Sequence, residues 1–568
     1  MQAYDYWLND MYLSNPLALP VNSNPAMVLP PRKFTTILDV ARFAARLVDA
    51  SLDYKSTLDN QILPTERATS REPGQPLCMS QYYRLLGSCR IPGKSADTQH
   101  VIARGKGNPS SEHIVVICRN QFYCVPVKGE DGGRLNEEEL CSQLLHILDD
   151  APCRSDCVPV GLFTGWKRSS WAEVRTTLRN DAANRRNVEL VETALLVICL
   201  DEPLPASFNC RSQRGGRGSH AGNRDETNLI LQMLHGGGSG YNSGNRWFDK
   251  TLQVIISGDG ACGICYEHSP AEGVAMSQMI ETMVRQVDSL PATCDVPAQT
   301  PGQLPTPERL EWNVEQNELR KLDEARVYLD NLIKDLDLCV FRYAGYGKEF
   351  MKSCKVSPDA YVQLALQLTY YRLYGRLAAT YESASTRRFL RGRVDCIRAA
   401  SPETLEWVAS MVQPKDNDVG GKKVSFHLVS DDVKLRLWDD AVGQQTAEMV
   451  DNILGQGIDV HLLGLREAAR ETSPTAAHPL PDIFNDKSYR LANTFLLSTS
   501  QVATFGDTFT GYGPVDPNGY GACYNPKADS IIFCISAFWS SEATGTTKFV
   551  QTLEESLNSM QNLMVKRM

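Results

Sequence analysis

Pro291, Pro297, Pro301, Pro305 and Pro307 fall within one short run, and they constrain this chain more than any other feature. Each proline holds φ near about −65° and lacks an amide hydrogen, so neither a helix nor a central strand can run through them. An extended connector is expected, dividing the chain into units 1–306 and 307–568. Upstream, strand-like apolar runs at 113–127, 194–204 and 251–257 alternate with helical stretches such as 136–151. Downstream, 317–338 opens a more helical half that ends in the apolar run 530–538 and the amphipathic 548–568. Both halves read as α/β. The length of 568 residues leaves room for two large units with a ligand site between them, and there is no internal repeat.

Charge and cysteine usage exclude several classes. With 58 Lys and Arg against 67 Asp and Glu, the formal charge is −9, the wrong sign for a nucleic-acid binder. The RGG-like segment 211–224 is a single copy in an acidic chain and reads as a surface loop. No apolar run reaches the roughly 18 residues of a membrane span. The 17 cysteines are odd in number and sit inside apolar runs, the usage of a reducing compartment instead of a disulfide scaffold. Asp5 and Asp10 precede any Lys or Arg, and no apolar targeting core follows, so a cytoplasmic protein is expected.

Several motifs permit more than one reading. Residues 258–263 read G-x-G-x-x-G after a strand, but Ile264-Cys265-Tyr266 is strand-like where a dinucleotide fold needs a helix. A hairpin turn at Gly258-Asp259-Gly260 is expected instead. Cys262 and Cys265 form one C-x-x-C without a second pair, so no metal is expected. His235 to Gly238 has the look of an esterase oxyanion loop, yet the chain has no G-x-S-x-G elbow. His268 ends the hairpin's second strand, and Ser269-Pro270 leaves its imidazole at an edge. Glu272, four residues on, is placed to hold an arginine that braces this loop; a catalytic and a structural histidine both fit. Lys348, Lys352 and Lys355, at i, i+4 and i+7, stack three ammonium groups on one helical face, which calls either for nearby carboxylates or for a polyanion such as a nucleotide phosphate. Ser498 and Ser500 share one face of a strand, as oxyanion donors or as ordinary strand residues. Tyr512, Tyr520 and Tyr524 follow in a Gly/Pro-rich stretch, where rings either enclose a cationic ligand or simply pack.

Eight blocks in chain order, 17–26, 76–93, 234–253, 266–273, 347–375, 380–400, 497–502 and 513–526, resemble the carnitine/choline acyltransferase family nearly end to end. Among them are "YEHSPAEG" around His268, "GKEFMKSCKVSPDA" around the lysines and "LSTSQV" around Ser500. The resemblance implies an α/β fold of two chloramphenicol-acetyltransferase-like domains with an active-site tunnel between them, entered from opposite ends by coenzyme A and the alcohol. The N-terminal part, to about residue 90, is expected to pack partly on the second domain. Also implied are acetyl-CoA as co-substrate, no permanently bound cofactor, a monomer, and neither a nucleic-acid partner nor an integral membrane segment. On matching positions, His268 is the general base on the substrate hydroxyl, which attacks the thioester directly without an acyl-enzyme; the imidazole then protonates the departing thiolate. Ser500 is the oxyanion hydroxyl, and Glu272 with Arg393 is the ion pair that props the catalytic loop. Lys348, Lys352 and Lys355 face the coenzyme phosphates, with Asp359, Glu382, Ser383, Ser385 and Gln501 lining the coenzyme. Tyr381, Val394, Val460, Ser498, Thr499, Tyr512 and Val515 form the alcohol site.

The choice of alcohol within the family rests on two positions. Carnitine carries a carboxylate that choline lacks, and the resemblance places Val460 and Val394 where carnitine-using members carry Arg and Thr. A carboxylate buried there would lack partners, at a cost of about 1–3 kcal/mol. Choline meets no such penalty, and its quaternary ammonium can sit on the Tyr512 ring beside Val515. The expected reaction is acetyl transfer to choline, giving acetylcholine and coenzyme A. Choline-using members carry Asn at the position of Val460 and Asp at that of Glu272, two departures in this chain. The alternatives are a short-chain carnitine acyltransferase that holds the carboxylate by other groups, and an inactive coenzyme A-binding scaffold, which would have no use for both His268 and Ser500.

Overall fold

Two sheets organise the protein, seen in a computed structural model that describes residues 3–68, 74–102, 112–211, 223–291, 304–412, 429–472, 480–502 and 505–567. The first has eight strands in the order Phe509–Gly511, Ala26–Val28, Cys262–Tyr266, Leu252–Ser257, Val197–Asp201, His113–Cys118, Gln121–Pro126 and Glu308–Leu310. The apolar runs legible in the sequence form its centre. Leu252–Ser257 is buried along its whole length, since strands flank it on both sides and helices cover both faces. Helices Ile37–Asp59, Glu137–Asp150 and Gly273–Ser289 share the core on one face. The first two begin with reciprocal caps, Thr36 with Asp39 and Asn136 with Glu139, which satisfy the free amides of the first turn.

The second sheet runs Leu336–Tyr343, Ile531–Phe538, Tyr520–Pro526, Leu497–Gln501, Thr380–Ser385 and Val394–Ile397. Helices Pro358–Tyr374, Asp431–Ile453 and Thr546–Arg567 cover one face around Tyr361, Trp407, Trp438 and Phe549. Pro358–Tyr374 is buried from Ala360 through Tyr370, the pattern of a helix enclosed on all sides. The opposite face contributes Leu338, Val340, Ile532 and Cys534 to a core shared with Trp171, Trp247 and Ile255 of the first half. The two sheets are therefore joined through one hydrophobic layer, and the α/β expectation holds.

Most of the proline run lies outside the described residues. Beyond it, Glu308–Leu310 still pairs with the first sheet, and the chain enters the second only at Leu336. In return, Phe509–Gly511 leaves the second half and pairs with Ala26–Val28. At the N-terminus, Trp7, Leu8 and Leu13 cluster with Val394 and Leu463 of the second half.

The G-x-G-x-x-G segment is a hairpin turn, with Leu252–Ser257 and Cys262–Tyr266 antiparallel. Gly260 has φ +94°, and a Cβ there would lie 1.9 Å from the Arg32 carbonyl oxygen. Cys262 and Cys265 are fully buried in the strand, behaving as small apolar side chains. The glycines after His235 close helix Glu226–His235, with Gly236 as left-handed cap. Segment 211–224 lies outside the described residues from 212 to 222. No described helix is long and apolar enough to cross a membrane.

Candidate active site

The central hairpin delivers His268 just past strand Cys262–Tyr266, and Glu272 stands at the N-cap position of helix Gly273–Ser289 with its side chain not capping the helix. The intervening loop is fastened from three directions. Arg393 donates from Nε to Glu272 Oε1 at 2.7 Å, from Nη1 to the Ser269 carbonyl at 2.6 Å and from Nη2 to the His268 carbonyl at 3.0 Å. Beneath the loop, Glu267 accepts from the Ser269 amide and hydroxyl and pairs with fully buried Arg90 at 3.2 Å. From the side, the Glu272 amide donates to Gln81 Oε1 at 2.8 Å, and Gln81 Nε2 donates to the Gly392 carbonyl, next to Arg393. A buried guanidinium with a carboxylate and two carbonyls is well satisfied, so it holds the loop rigidly.

The imidazole sits between two acceptor-capable groups. Its Nδ1 is 2.7 Å from the Tyr12 hydroxyl, and the two rings stack with centroids 5.4 Å apart. Nε2 lies 3.8 Å from Glu272 Oε2, with the imidazole side chain 19% exposed. Burial pulls the His268 pKa below its usual value, opposed by Glu272 and reinforced by Arg393. The ring is therefore neutral near pH 7, with Nε2 available as a base when Nδ1–H donates to Tyr12. Glu272 then stands where it stabilises the imidazolium that forms on taking up a proton. Tyr12 carried no signal in the sequence: it lies 256 residues from His268. Its own place is held by Arg90, which donates to the Tyr12 carbonyl at 2.5 Å.

Strand Leu497–Gln501 approaches the same loop. Its continuation, Val502, would lie 3.1 Å from a Cβ placed on Gly273, the first residue of the helix after the histidine loop. Ser498 is buried and Ser500 half-buried, while Thr499, on the opposite face, donates to the Tyr381 carbonyl at 2.7 Å. Tyr512 donates to the Ser498 carbonyl at 3.1 Å. The Tyr12 and Tyr381 phenols are pushed up by burial and then by the Glu272 charge, and that of Tyr512 by burial, with Tyr381 among its lesser causes. All three phenols therefore stay protonated at neutral pH. Val394 and Val460 line one cavity of about 580 Å³ with Trp7, Arg393 and Asp395. Val515 is not brought into this group: it is 55% exposed on a turn.

The positions expected to line the coenzyme do not behave alike. Asp359 and Glu382 come together: Tyr524 donates to Asp359 Oδ1 at 2.5 Å, and Gln445 donates to Glu382 Oε2 at 2.6 Å. Burial and the neighbouring Asp359 raise the Glu382 pKa well above the usual carboxylate range, so this pair holds a proton at neutral pH. Ser383, Ser385 and Gln501 are exposed, Ser385 and Gln501 at the ends of their strands and Ser383 within Thr380–Ser385. The three-lysine helical face requires correction. Helix Lys348–Ser353 ends before the third lysine, and Lys355 has φ +59°, so it leaves the helix and points elsewhere than the i, i+7 row. Lys352 pairs with Glu349 at 3.1 Å. Lys348 instead has Lys527 for a neighbour, whose ammonium pKa is lowered by burial and, in smaller part, by the Arg342 and Lys348 charges. The sequence reading missed Lys527, which lies far along the chain.

A family model described as choline/carnitine O-acyltransferase matches residues 3–555. The chain is 52% identical to the choline O-acetyltransferase of Drosophila melanogaster, covering 99% of this chain and 79% of that protein. It is 42% identical to that of Homo sapiens, over 98% of this chain and 70% of the other. It is 39% identical to the carnitine O-acetyltransferase of Columba livia, over 99% and 83%.

Proposed function

Because the chain belongs to the choline/carnitine O-acyltransferase family, we propose that it transfers the acetyl group of acetyl-CoA to the hydroxyl of choline, yielding acetylcholine and coenzyme A. His268 Nε2 takes the proton of the choline hydroxyl as its oxygen attacks the thioester carbonyl. Ser500 donates to the resulting oxyanion. Collapse expels the thiolate, which takes the proton back from the imidazolium, so one group serves as base and then acid. Glu272 and Arg393 position that group. Lys348, Lys352 and Lys355 offer positive charge to the coenzyme phosphates, and Asp359, Glu382, Ser383, Ser385 and Gln501 line its path.

The observation that carries the choice of alcohol is the wall formed by Val394 and Val460. The cavity they share also contains Asp395, and its buried cation, Arg393, is already committed to Glu272 and two carbonyls. Arg391 lies exposed at its edge. Apart from Arg393, no buried cation is among the described residues lining this cavity to meet a carnitine carboxylate, whereas a quaternary ammonium is offered the aromatic side chains of Tyr4, Trp7 and Phe389; Tyr381 and Tyr512 do not line it. The same reading takes the protein as a monomeric cytoplasmic enzyme without a resident cofactor.

The test is the initial rate of coenzyme A release from acetyl-CoA with choline and with L-carnitine, for the native protein and His268→Ala. Choline-dependent release that falls by roughly 10²–10⁴ in the variant is the expected result. A preference for carnitine would overturn the choline assignment, and silence with both alcohols would favour the scaffold.

A further inference from the structure

At the margin of the second sheet's own core, away from any role in acetyl transfer, two thiols from different halves of the chain meet. Cys210 Sγ lies 2.8 Å from Cys339 Sγ, across a sequence separation of 129 residues. Cys210 belongs to the segment after strand Val197–Asp201, and Cys339 to Leu336–Tyr343, the first strand of the second sheet. Helix Glu226–His235 fixes both. Its N-cap Asp225 accepts from the Cys210 amide at 2.8 Å, and its Thr227 hydroxyl accepts from the Val340 amide at 2.9 Å. The backbone carrying each sulfur is therefore held to one rigid element, and joining the sulfurs requires less than about an ångström of approach. Access is one-sided. Cys339 is fully buried, and its hydrogen bond with the Cys210 thiol, together with burial, keeps it protonated well above the usual range. Cys210 is half-buried and lines a cavity of about 420 Å³.

We propose that Cys210 and Cys339 form a redox-modifiable dithiol, which a small-molecule disulfide closes into an intramolecular disulfide joining the two halves. The Cys210 thiolate attacks one sulfur of the reagent from the cavity, giving a mixed disulfide and one equivalent of free thiol. Cys339 then loses its proton and attacks the Cys210 sulfur, releasing the second equivalent. Overall the two protein thiols are oxidised by two electrons, and the reagent is reduced to two thiols. The closed bond pins the segment around Cys210 to the second sheet and raises resistance to unfolding, in the manner of a cross-link between distant residues.

The experiment incubates the full-length protein with oxidised glutathione, blocks remaining thiols and maps the peptides without reductant. The expected result is a Cys210–Cys339 linked peptide that dithiothreitol cleaves, with the thermal midpoint of the oxidised protein a few degrees higher. Cys339→Ser should instead accumulate glutathione on Cys210, and Cys210→Ser should leave Cys339 reduced. Persistent glutathione on Cys210 in the native protein with Cys339 still blocked as a thiol would overturn the proposal. So would an unmodified Cys210 under conditions that oxidise the exposed Cys153.

Discussion

At the scale of single residues, the His268 environment sets the pH behaviour. Its pKa is lowered mainly by burial, so the neutral, base-competent form survives to lower pH than in a free imidazole. The acid limb of kcat/KM should therefore fall below the reference of about 6.5. Glu272 is the largest opposing influence, raising that pKa. Glu272→Gln should move the limb further toward acid while lowering kcat, since the imidazolium loses its counter-charge; a limb that rises would contradict the assignment. Tyr12→Phe removes the 2.7 Å contact to Nδ1 but keeps the stacked ring. One hydrogen bond is worth about 0.5–1.5 kcal/mol, so kcat should drop up to roughly tenfold with KM for choline little changed. At the alcohol wall, Val460→Arg with Val394→Thr supplies the donors that a carboxylate lacks. Rates with L-carnitine should rise relative to choline, measured side by side in the coenzyme A release assay.

At the scale of elements, the hairpin that presents His268 depends on Gly260. Its φ of +94° and the 1.9 Å approach to the Arg32 carbonyl leave no room for a side chain. Gly260→Ala should destabilise the protein by roughly 1–3 kcal/mol, seen as a lower thermal midpoint; an unchanged midpoint would show that the turn relaxes freely. This hairpin was legible in the sequence because a turn between two apolar runs is a matter of adjacent residues. The lysine row was misjudged for a related reason. Periodicity placed Lys355 on the same face as Lys348, but Val356-Ser357-Pro358 introduces the next helix, and the chain turns out at Cys354 before the row is complete. Residue spacing specifies a face only where the helix persists.

At the scale of the whole molecule, the halves exchange segments: Phe509–Gly511 completes the first sheet, and the core beneath it takes Leu338, Val340 and Ile532 from the second. A fragment ending before Leu336 should therefore expose an apolar layer, bind a hydrophobic dye and lack a cooperative thermal transition; a sharp transition would mean that the first unit is self-sufficient. The α/β class, the central strands, the hairpin and the position of His268 at a strand end follow from the sequence by itself, because they depend on neighbours a few residues apart. The roles proposed for Arg393, Ser500 and the lysines were reachable only through resemblance of whole blocks to a family. Tertiary structure alone decided that Tyr12 meets His268, that Arg90 and Gln81 support the loop, that Lys527 neighbours Lys348, and that Cys210 touches Cys339. These contacts join residues tens to hundreds apart, and no local pattern of charge or hydrophobicity specifies a partner at such range; the packing of two sheets on one shared core does.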